Sequence, residues 1–553
     1  YEVNIQKFWE DKQIFEKVLK QNEGLKQFNF IEGPPFPTGD AHLGHLRNWA
    51  IKDSFLRFKR FNGYDVYARD GYDVHGLPVE NKVQKKLDLQ TVDRLKEFGV
   101  NNFLKECKTY VADIIGDMAD VRARYGMWMD RNHYQTSHPE YISNSWRFFK
   151  KAQEKGLLYK DYKTVAWCPH DETTLSDYEI KDSYTNLVDP SIYVKFPITE
   201  SDKTTSYTES FVIWTTTPWT LQSNMCIAMH PEFNYSKVLV SLNGNKEVLV
   251  IATNLVESFI ARMAKQNEIS LIEVLDTKFG AEYDGVKYDH IYLDETPSQK
   301  EFSLSDENKH VHSIIMADYV TLGEGEDIFD KLDKKGYKHS NKADDVKEVE
   351  KKEVDLSAQD GTGLVHIAPG HGFDDYEAAR KYNVPVFCPI DSKGNMMEGK
   401  WEGLYFKEIN PLAIEHLKAK GSLLYVEDKE HRYPCCWRCK TPIVYRAADQ
   451  WWIRRSKVIP EIIKNNSGVQ WTPKSAAVNF ENLMSGAGDW AISRQRFWGI
   501  PLPIWEDEEG NFEVIESKEE LEEKTGRTFD DLHIDDLSDV TFVGKSGLKM
   551  ERV

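Results

Sequence analysis

Long apolar runs are missing from this chain: none of its 553 residues belong to a stretch approaching the ~18 apolar residues that a membrane-spanning helix needs. Cysteine is scarce. The seven thiols (Cys107, Cys168, Cys226, Cys388, Cys435, Cys436 and Cys439) are too few and too clustered for a disulfide framework. They point to reduced thiols in the cytosol, with metal or redox use confined to Cys435–Cys439. Positive charge is in deficit, since 71 Lys+Arg against 90 Asp+Glu leave −19. That balance excludes coating nucleic acid by bulk electrostatics and leaves room for a local basic groove. No signal peptide opens the chain: Tyr1–Trp9 reads as a charged amphipathic helix, and without a Met the natural N-terminus is expected upstream. Repeats and low-complexity segments are also lacking. What is present, 40% apolar, 12% aromatic and 29% charged residues, is a globular profile, and the length implies about three to five domains.

Periodicity divides the chain. Residues 1–22 carry Ile5, Phe8, Trp9, Ile14, Phe15, Val18 and Leu19 near a 3.6 period and predict one helix. Phe28–Ile31 reads as a strand stopped by Gly33-Pro34-Pro35, where proline bars continuation. A helix is expected from near Ala41 through Phe55, then a turn at Asn62-Gly63, a strand over Tyr64–Ala68, and a helix after Gly76-Leu77-Pro78. Such strand–helix alternation suggests parallel α/β construction. From about 190 the texture changes to short, β-branched, turn-bounded segments, such as Ser191–Phe196, Phe211–Trp214, Lys237–Val240 and Val248–Ile251. Residues 341–353 mix charges and read as a solvated surface insertion. Near 440 the α/β texture returns with Ala447–Ile453. The expected fold class is α/β: a Rossmann-like parallel-sheet domain split by an inserted β-rich domain. Its parts are a first half over 1–165, a connective segment over 166–184, the insertion over 185–420, a return segment over 421–440, and a second half over 441–553.

His42 and His45 stand at i and i+3 at a helix start, on one face. Free N–H groups and a positive dipole end make that place an anion site, and imidazoles there can donate to phosphate. Gly44 leaves room for a nucleotide, and the Pro34-Pro35 turn fixes the strand end opposite. Taken alone, such a pair reads as ordinary surface or core residues. It is not alone, because Glu32-Gly33-Pro34-Pro35-Phe36-Pro37-Thr38-Gly39-Asp40-Ala41-His42-Leu43-Gly44-His45 is followed by Gly71-Tyr72-Asp73-Val74-His75-Gly76-Leu77-Pro78-Val79-Glu80. Together these runs resemble the nucleotide-binding half of the class I aminoacyl-tRNA synthetases, and the second run resembles the isoleucyl-tRNA synthetases among them. The resemblance implies amino-acid activation by ATP with Mg²⁺. His42 and His45 would be the catalytic donors to the phosphates, with Gly44 in the ATP site. Pro35 and Asp73 would bind the amino acid, Asp73 through a charge-assisted bond to its ammonium. Without that context Asp73 reads as a loop cap.

Asp489–Pro501, with Ser493-Arg494-Gln495-Arg496-Phe497-Trp498-Gly499 inside it, resembles another segment of the same family. It implies Trp498 as one wall of the amino-acid pocket; the plainer reading is a buried core Trp. The family's Lys-Met-Ser-Lys-Ser loop is absent, and Lys549-Met550-Glu551-Arg552 does not match it. No helical anticodon-binding segment follows. The chain is therefore expected to be the N-terminal part of a longer enzyme and to activate poorly alone.

Two further segments resemble the editing domain inserted into isoleucyl-, valyl- and leucyl-tRNA synthetases. One is Phe211–Asn224, with Thr215-Thr216-Thr217; the other is Gly361–Tyr376. The threonines alone are explained by strand propensity. The need for a second cavity is quantitative, since one methylene gives only about 1–3 kcal/mol of discrimination, a magnitude established for isoleucine against valine in this enzyme group itself. The resemblance implies that Asp375 pairs the ammonium of a misacylated valine, with adjacent Asp374 less suited. Thr215, Thr216, Thr217 and Asn224 would place water or the terminal ribose, and His366 would exclude isoleucine by bulk.

Cys436-Trp437-Arg438-Cys439 has half-zinc-site spacing, and Trp167-Cys168-Pro169-His170-Asp171 is the partner segment. Cys168, Cys436 and Cys439 with Asp171 or His170 would close a tetrahedron around one Zn²⁺; unmetallated thiols are the alternative, and Cys435 is a bystander. The expected function is thus ATP-dependent activation of isoleucine, its transfer to tRNA(Ile), and hydrolytic editing of Val-tRNA, by a cytoplasmic monomer without a membrane. Arg454-Arg455-Ser456-Lys457 would steer the acceptor end, or is a solvated face. The rivals are a fragment acting only as a deacylase and a tRNA-binding module.

Overall fold

The computed structural model describes residues 1–553 except 90, 129, 177–178, 181–182, 200–205 and 323–359. The predicted insertion over 341–353 lies outside the described residues. No described helix is long and apolar enough to cross a membrane. Contacts divide the chain into two compact units, Tyr1–Tyr159 with Ser493–Val553, and Lys160–Ile492.

The first unit opens with two helices where the sequence predicts one, α1 (Glu2–Asp11) and α2 (Ile14–Asn22), separated at Gln13 with φ 49°. The break has a packing reason. Six residues apart on a straight helix, Trp9 and Phe15 would point about 120° apart. The kink lets both rings reach Trp128, at 5.4 and 5.7 Å. Next come β1 (Lys26–Ile31), α3 (Leu43–Phe61), β2 (Tyr64–Tyr72), α4 (Leu77–Lys86), α5 (Val92–Phe98), α6 (Val100–Arg124), β3 (Asp130–Gln135) and α7 (Pro139–Glu154). The three strands form a parallel sheet in the order β1-β2-β3, paired from Lys26↔Tyr64 to Ile31↔Arg69. Phe28 and Phe30 alternate inward along β1 and pack against Leu56 of α3 with Val66 and Ala68 of β2. Gly71 is required where β2 meets β3, since a Cβ there would lie 2.2 Å from the Tyr134 ring. Parallel sheets bind ligands beyond the carboxyl ends of their strands. Here those ends lead into Glu32–Pro35, Asp73 and Thr136.

The second unit is β-rich. β4 (Leu158–Cys168), β5 (Thr173–Thr174), β6 (Tyr184–Pro197), β7 (Glu209–Thr215), β8 (Cys226–Met229), β9 (Asn234–Leu242), β10 (Asn245–Ala252), β11 (Ile269–Phe279), β12 (Ser313–Met316) and β13 (Leu364–Ile367) precede α8 (Phe373–Lys381). β14 (Leu423–Pro434), β15 (Val444–Ile453) and β16 (Trp490–Ala491) follow it. A six-stranded sheet runs β11-β9-β10-β7-β6-β14, a three-stranded one β12-β8-β13, and a four-stranded one β16-β15-β4-β5. The last of these ties 441–492 to the second unit, where the sequence reading groups that stretch with the end of the chain. Central β7 is nearly all buried, Phe211, Val212 and Ile213 at 0% exposure, as a strand covered on both faces must be.

The chain then returns to the first unit with β17 (Ile504–Glu506), β18 (Phe512–Val514), α9 (Lys518–Thr525), β19 (Thr541–Val543) and β20 (Lys549–Arg552), in a sheet ordered β18-β17-β20-β19. Trp505, Ile515, Leu521, Phe529 and Leu532 build a core with Ile142 and Trp146 of α7.

Candidate active site

A cleft of about 510 Å³ lies beyond the end of β1, lined by Pro35, His42 and His45 together with Glu32, Thr38 and Lys52. The start of α3 explains its chemistry. His42 is the N-cap, and its Nδ1 accepts the Gly44 N–H at 3.1 Å. His45 Nδ1 accepts the His42 N–H at 3.3 Å, so each ring satisfies one of the helix's orphan amides. The rings stack at 3.9 Å. Burial, then His42, lowers the His45 pKa, so its ring is neutral. A neutral imidazole with Nδ1 accepting carries its proton on Nε2. The backbone of the first helical turn thus fixes the tautomer that offers an Nε2–H donor. Gly44 does not line the cleft. Its missing Cβ makes room for His42, whose Cε1 would lie 2.9 Å away.

Asp73 is tied to the same strand ends. Its N–H donates to the Pro35 carbonyl at 3.1 Å, and Thr136 Oγ1 stands 3.5 Å from its carboxylate. Burial raises its pKa, opposed by bonds from the His75 backbone N–H and Thr136. Trp498 is 1% exposed in the core with Trp49, Val74 and Val79, and is not part of the cleft lining. What holds it is Glu80, which the sequence reading passed over. Glu80 is fully buried; one oxygen accepts the Phe497 and Trp498 N–H groups at 2.9 and 2.6 Å, and the other pairs with Arg496. Trp498 Nε1–H donates to the Val74 carbonyl at 2.5 Å, and its own carbonyl accepts the Gly76 N–H at 2.8 Å. These bonds join the segments around residues 71–80 and 493–499.

In the second unit, Thr215, Thr217, His366 and Asn224 are joined by one chain of hydrogen bonds. Thr217 N–H donates to Thr215 Oγ1 at 3.1 Å. Thr220 donates to the Thr217 carbonyl at 2.8 Å, so it accepts the His366 Nε2–H at 3.0 Å. His366 Nδ1 accepts from Asn224 Nδ2 at 2.8 Å, and Tyr288 donates to Asn224 Oδ1 at 2.5 Å. With both nitrogens engaged, the His366 ring cannot swing, and burial lowers its pKa to about 3. Thr220 and Tyr288 are additions to the sequence-predicted set. Thr216 is half-buried. Asp375, in the first turn of α8, turns back to accept the Ala368 N–H at 2.9 Å, while Asp374 is exposed. Burial raises the Asp375 pKa to about 7.

The donor atoms of Cys168, Asp171, Cys436 and Cys439 all lie within 4.8 Å of one another. Cys168 Sγ is 3.5 Å from Cys439 Sγ and from Asp171 Oδ2, and Cys436 Sγ is 3.4 Å from that oxygen. Zn–S bonds of ~2.3 Å in a tetrahedron give edges near 3.8 Å, so the set fits one zinc ion. His170 Nδ1 stands 3.1 Å from the second Asp171 oxygen, in the position of a group that orients a ligand carboxylate. Cys435 turns away to Thr185, 3.1 Å distant.

The chain is similar to known proteins along most of its length. Isoleucine–tRNA ligase of Pyrococcus furiosus is 42% identical over 525 residues, covering 94% of this chain and 45% of that protein. The Methanocaldococcus jannaschii isoleucine–tRNA ligase is 39% identical over 557 residues, covering 99% of this chain and 49% of that one. The chain thus spans about half the length of the curated relatives it matches. A solved ternary complex of Agrobacterium radiobacter K84 LeuRS with tRNA and LeuAMS aligns with all of this chain and 57% of that one, at TM-score 0.37 and 16% identity. Residues 4–545 match the family described as tRNA synthetases class I (I, L, M and V), and to that family the chain belongs.

Proposed function

We propose that this chain is the activating and editing portion of an isoleucine–tRNA ligase, acting on isoleucine, ATP and tRNA(Ile) in the cytoplasm as a monomer. The observation that carries the reading is the stacked His42–His45 pair on the cleft wall, each ring held by a backbone amide of α3. In activation, an isoleucine carboxylate oxygen bonds the α-phosphorus of ATP as the bond to pyrophosphate breaks. Negative charge grows on the phosphate oxygens, where preorganised N–H donors stabilise the transition state more than the ground state. His42 and His45 supply those donors, Asp73 holds the ammonium, and Pro35 shapes the side-chain pocket. Mg²⁺ arriving with ATP screens the triphosphate. The terminal ribose hydroxyl of the tRNA then takes the acyl group and AMP leaves.

For a misacylated valine, water bonds the ester carbon and the bond to ribose breaks. Asp375 holds the valyl ammonium, the Thr215–Thr217 segment and Asn224 place water and ribose, and the fixed His366 ring excludes the longer side chain. Cys168, Asp171, Cys436 and Cys439 would hold one Zn²⁺ that staples their two segments together. The test is valine release from Val-tRNA(Ile) by this chain, and isoleucine-dependent exchange of pyrophosphate into ATP by the complete polypeptide. Asp375→Ala should abolish the first, and His45→Ala should slow the second by about 10²–10³-fold. Unchanged rates in either variant would remove that residue from its site.

A further inference from the structure

His75 has no part in the scheme above, yet it stands at the end of a buried relay. Its backbone N–H donates to the Asp73 carboxylate. Its Nε2 is 2.9 Å from His533 Nε2, and His533 Nδ1 is 2.5 Å from Asp531 Oδ1. The bond from His533 first, then Lys108, which binds Asp531 at 2.6 Å and Asp535 at 3.0 Å, hold the Asp531 carboxyl well below the usual carboxylate range. The Trp498 ring stacks on His533 at 4.7 Å and meets His75 edge-on at 5.0 Å, so both imidazoles are clamped. An ionised carboxylate only accepts, so His533 Nδ1 carries a proton, and in the singly protonated ring Nε2 is a lone pair. That lone pair takes the His75 Nε2–H. His75 Nδ1 is then an acceptor, buried and with no partner among the described residues. Burial lowers the His75 pKa to about 3, so the ring is neutral and free to accept from a cation. A buried acceptor left unpaired costs free energy, and such groups persist where a ligand supplies the donor.

We propose that His75 Nδ1 is a second acceptor for the α-ammonium of the bound amino acid, beside Asp73, and that His533 and Asp531 are positioning residues that fix its tautomer. The inference rests on the reading of Asp73 as the ammonium anchor. An ammonium offers three N–H donors, and a carboxylate plus an imidazole lone pair set its direction where a carboxylate alone sets only its place.

The experiment is titration calorimetry of isoleucine into this chain, without ATP. Asparagine places an amide oxygen where histidine has Nδ1, whereas glutamine reaches only the Nε2 position. His75→Gln therefore keeps the bond to His533 and should weaken isoleucine binding by about ten- to a hundredfold, the value of a hydrogen bond to a charged group. His75→Asn should stay within about threefold of the parent by the same scale. Equal losses in both variants, or none in His75→Gln, would overturn the proposal. If His75→Gln fails to fold, His533→Phe replaces it; that variant keeps a ring stacked on Trp498 but lets the His75 proton shift, and unaltered binding would overturn the relay. Failure of the parent itself to bind isoleucine counts instead against the reading of the site, and the inference falls with it.

Discussion

Glu80 shows how much one side chain can hold. Its carboxylate is fully buried, and its partners are the Arg496 guanidinium and two amides of the Phe497-Trp498 segment. Glu80→Ala strands that cation and both amides in the core, so a loss of about 3–5 kcal/mol is expected, read as an earlier urea transition of the first unit. The run Gly71–Glu80 ends on this residue, yet nothing in it shows the role, because the partners lie more than four hundred positions away. Asp375 allows a prediction in pH. Burial first, then Asp374, raises its carboxyl from 3.8 to about 7. The fold therefore favours the protonated form, and its stabilising contribution is complete below 3.8 and lost as pH rises through about 7. Holding an ammonium needs the ionised form. The kcat/KM for Val-tRNA(Ile) hydrolysis should accordingly climb about tenfold per pH unit below 7 and level above it, a limb that Asp375→Asn removes.

At the scale of the element, the first turn of α3 is both a cap and a donor array, and Gly44 keeps the two compatible. Gly44→Ala sets a Cβ 2.9 Å from His42 Cε1 and 3.0 Å from its Nδ1, displacing the ring that caps the helix. About 0.5–2 kcal/mol of stability should go with the cap. Adenylate formation by the complete polypeptide should slow at least tenfold, measured by pyrophosphate exchange, since removing one such donor costs up to 10²–10³-fold. The sequence suggests that this glycine makes way for a nucleotide; the space belongs to the neighbouring imidazole. The strands over 191–196, 211–214, 237–240 and 248–251 were legible because β-branched runs between turns have few other uses. Of the hydrogen-bonded network in the second unit, Thr215, Thr217, Asn224 and His366 were legible, whereas Thr220 and Tyr288 were not. Pro218–Ser223 forms a 3₁₀ turn that brings Thr220 back under Thr217, and Tyr288 arrives from a distant loop. The break at Gln13 was hidden for a related reason. Its cause is Trp128, a partner more than a hundred residues away.

The cysteine cluster and the division of the chain belong to the whole molecule. One zinc per chain is expected by elemental analysis, falling toward zero in Cys436→Ser; two would require a ligand set beyond the four donors now seen together. The second unit is one continuous stretch, whereas the first is assembled from two pieces. Its cores show the consequence, for Trp498 packs with Trp49, and Trp505, Leu521 and Leu532 pack with Ile142 and Trp146.

Residues 158–492, which keep β4 whole, should therefore fold alone with a cooperative melt and still release valine from Val-tRNA(Ile). Residues 1–159 alone should not fold, because their apolar faces lack the partners supplied by 493–553. The ends of the second unit make a sharper test possible. Trp452 of β15 donates to the Asp161 carbonyl of β4 at 3.4 Å and pairs with Ala491 of β16. In the sheet order β16-β15-β4, the strands that carry the two ends lie about two strand spacings, ~10 Å, apart. A linker of about five residues spans that gap with slack. Joining 1–159 to 493–553 through it should restore a folded first unit with its tryptophans buried, seen in fluorescence. An unfolded product would mean that the first unit depends on the second for more than closure of its chain.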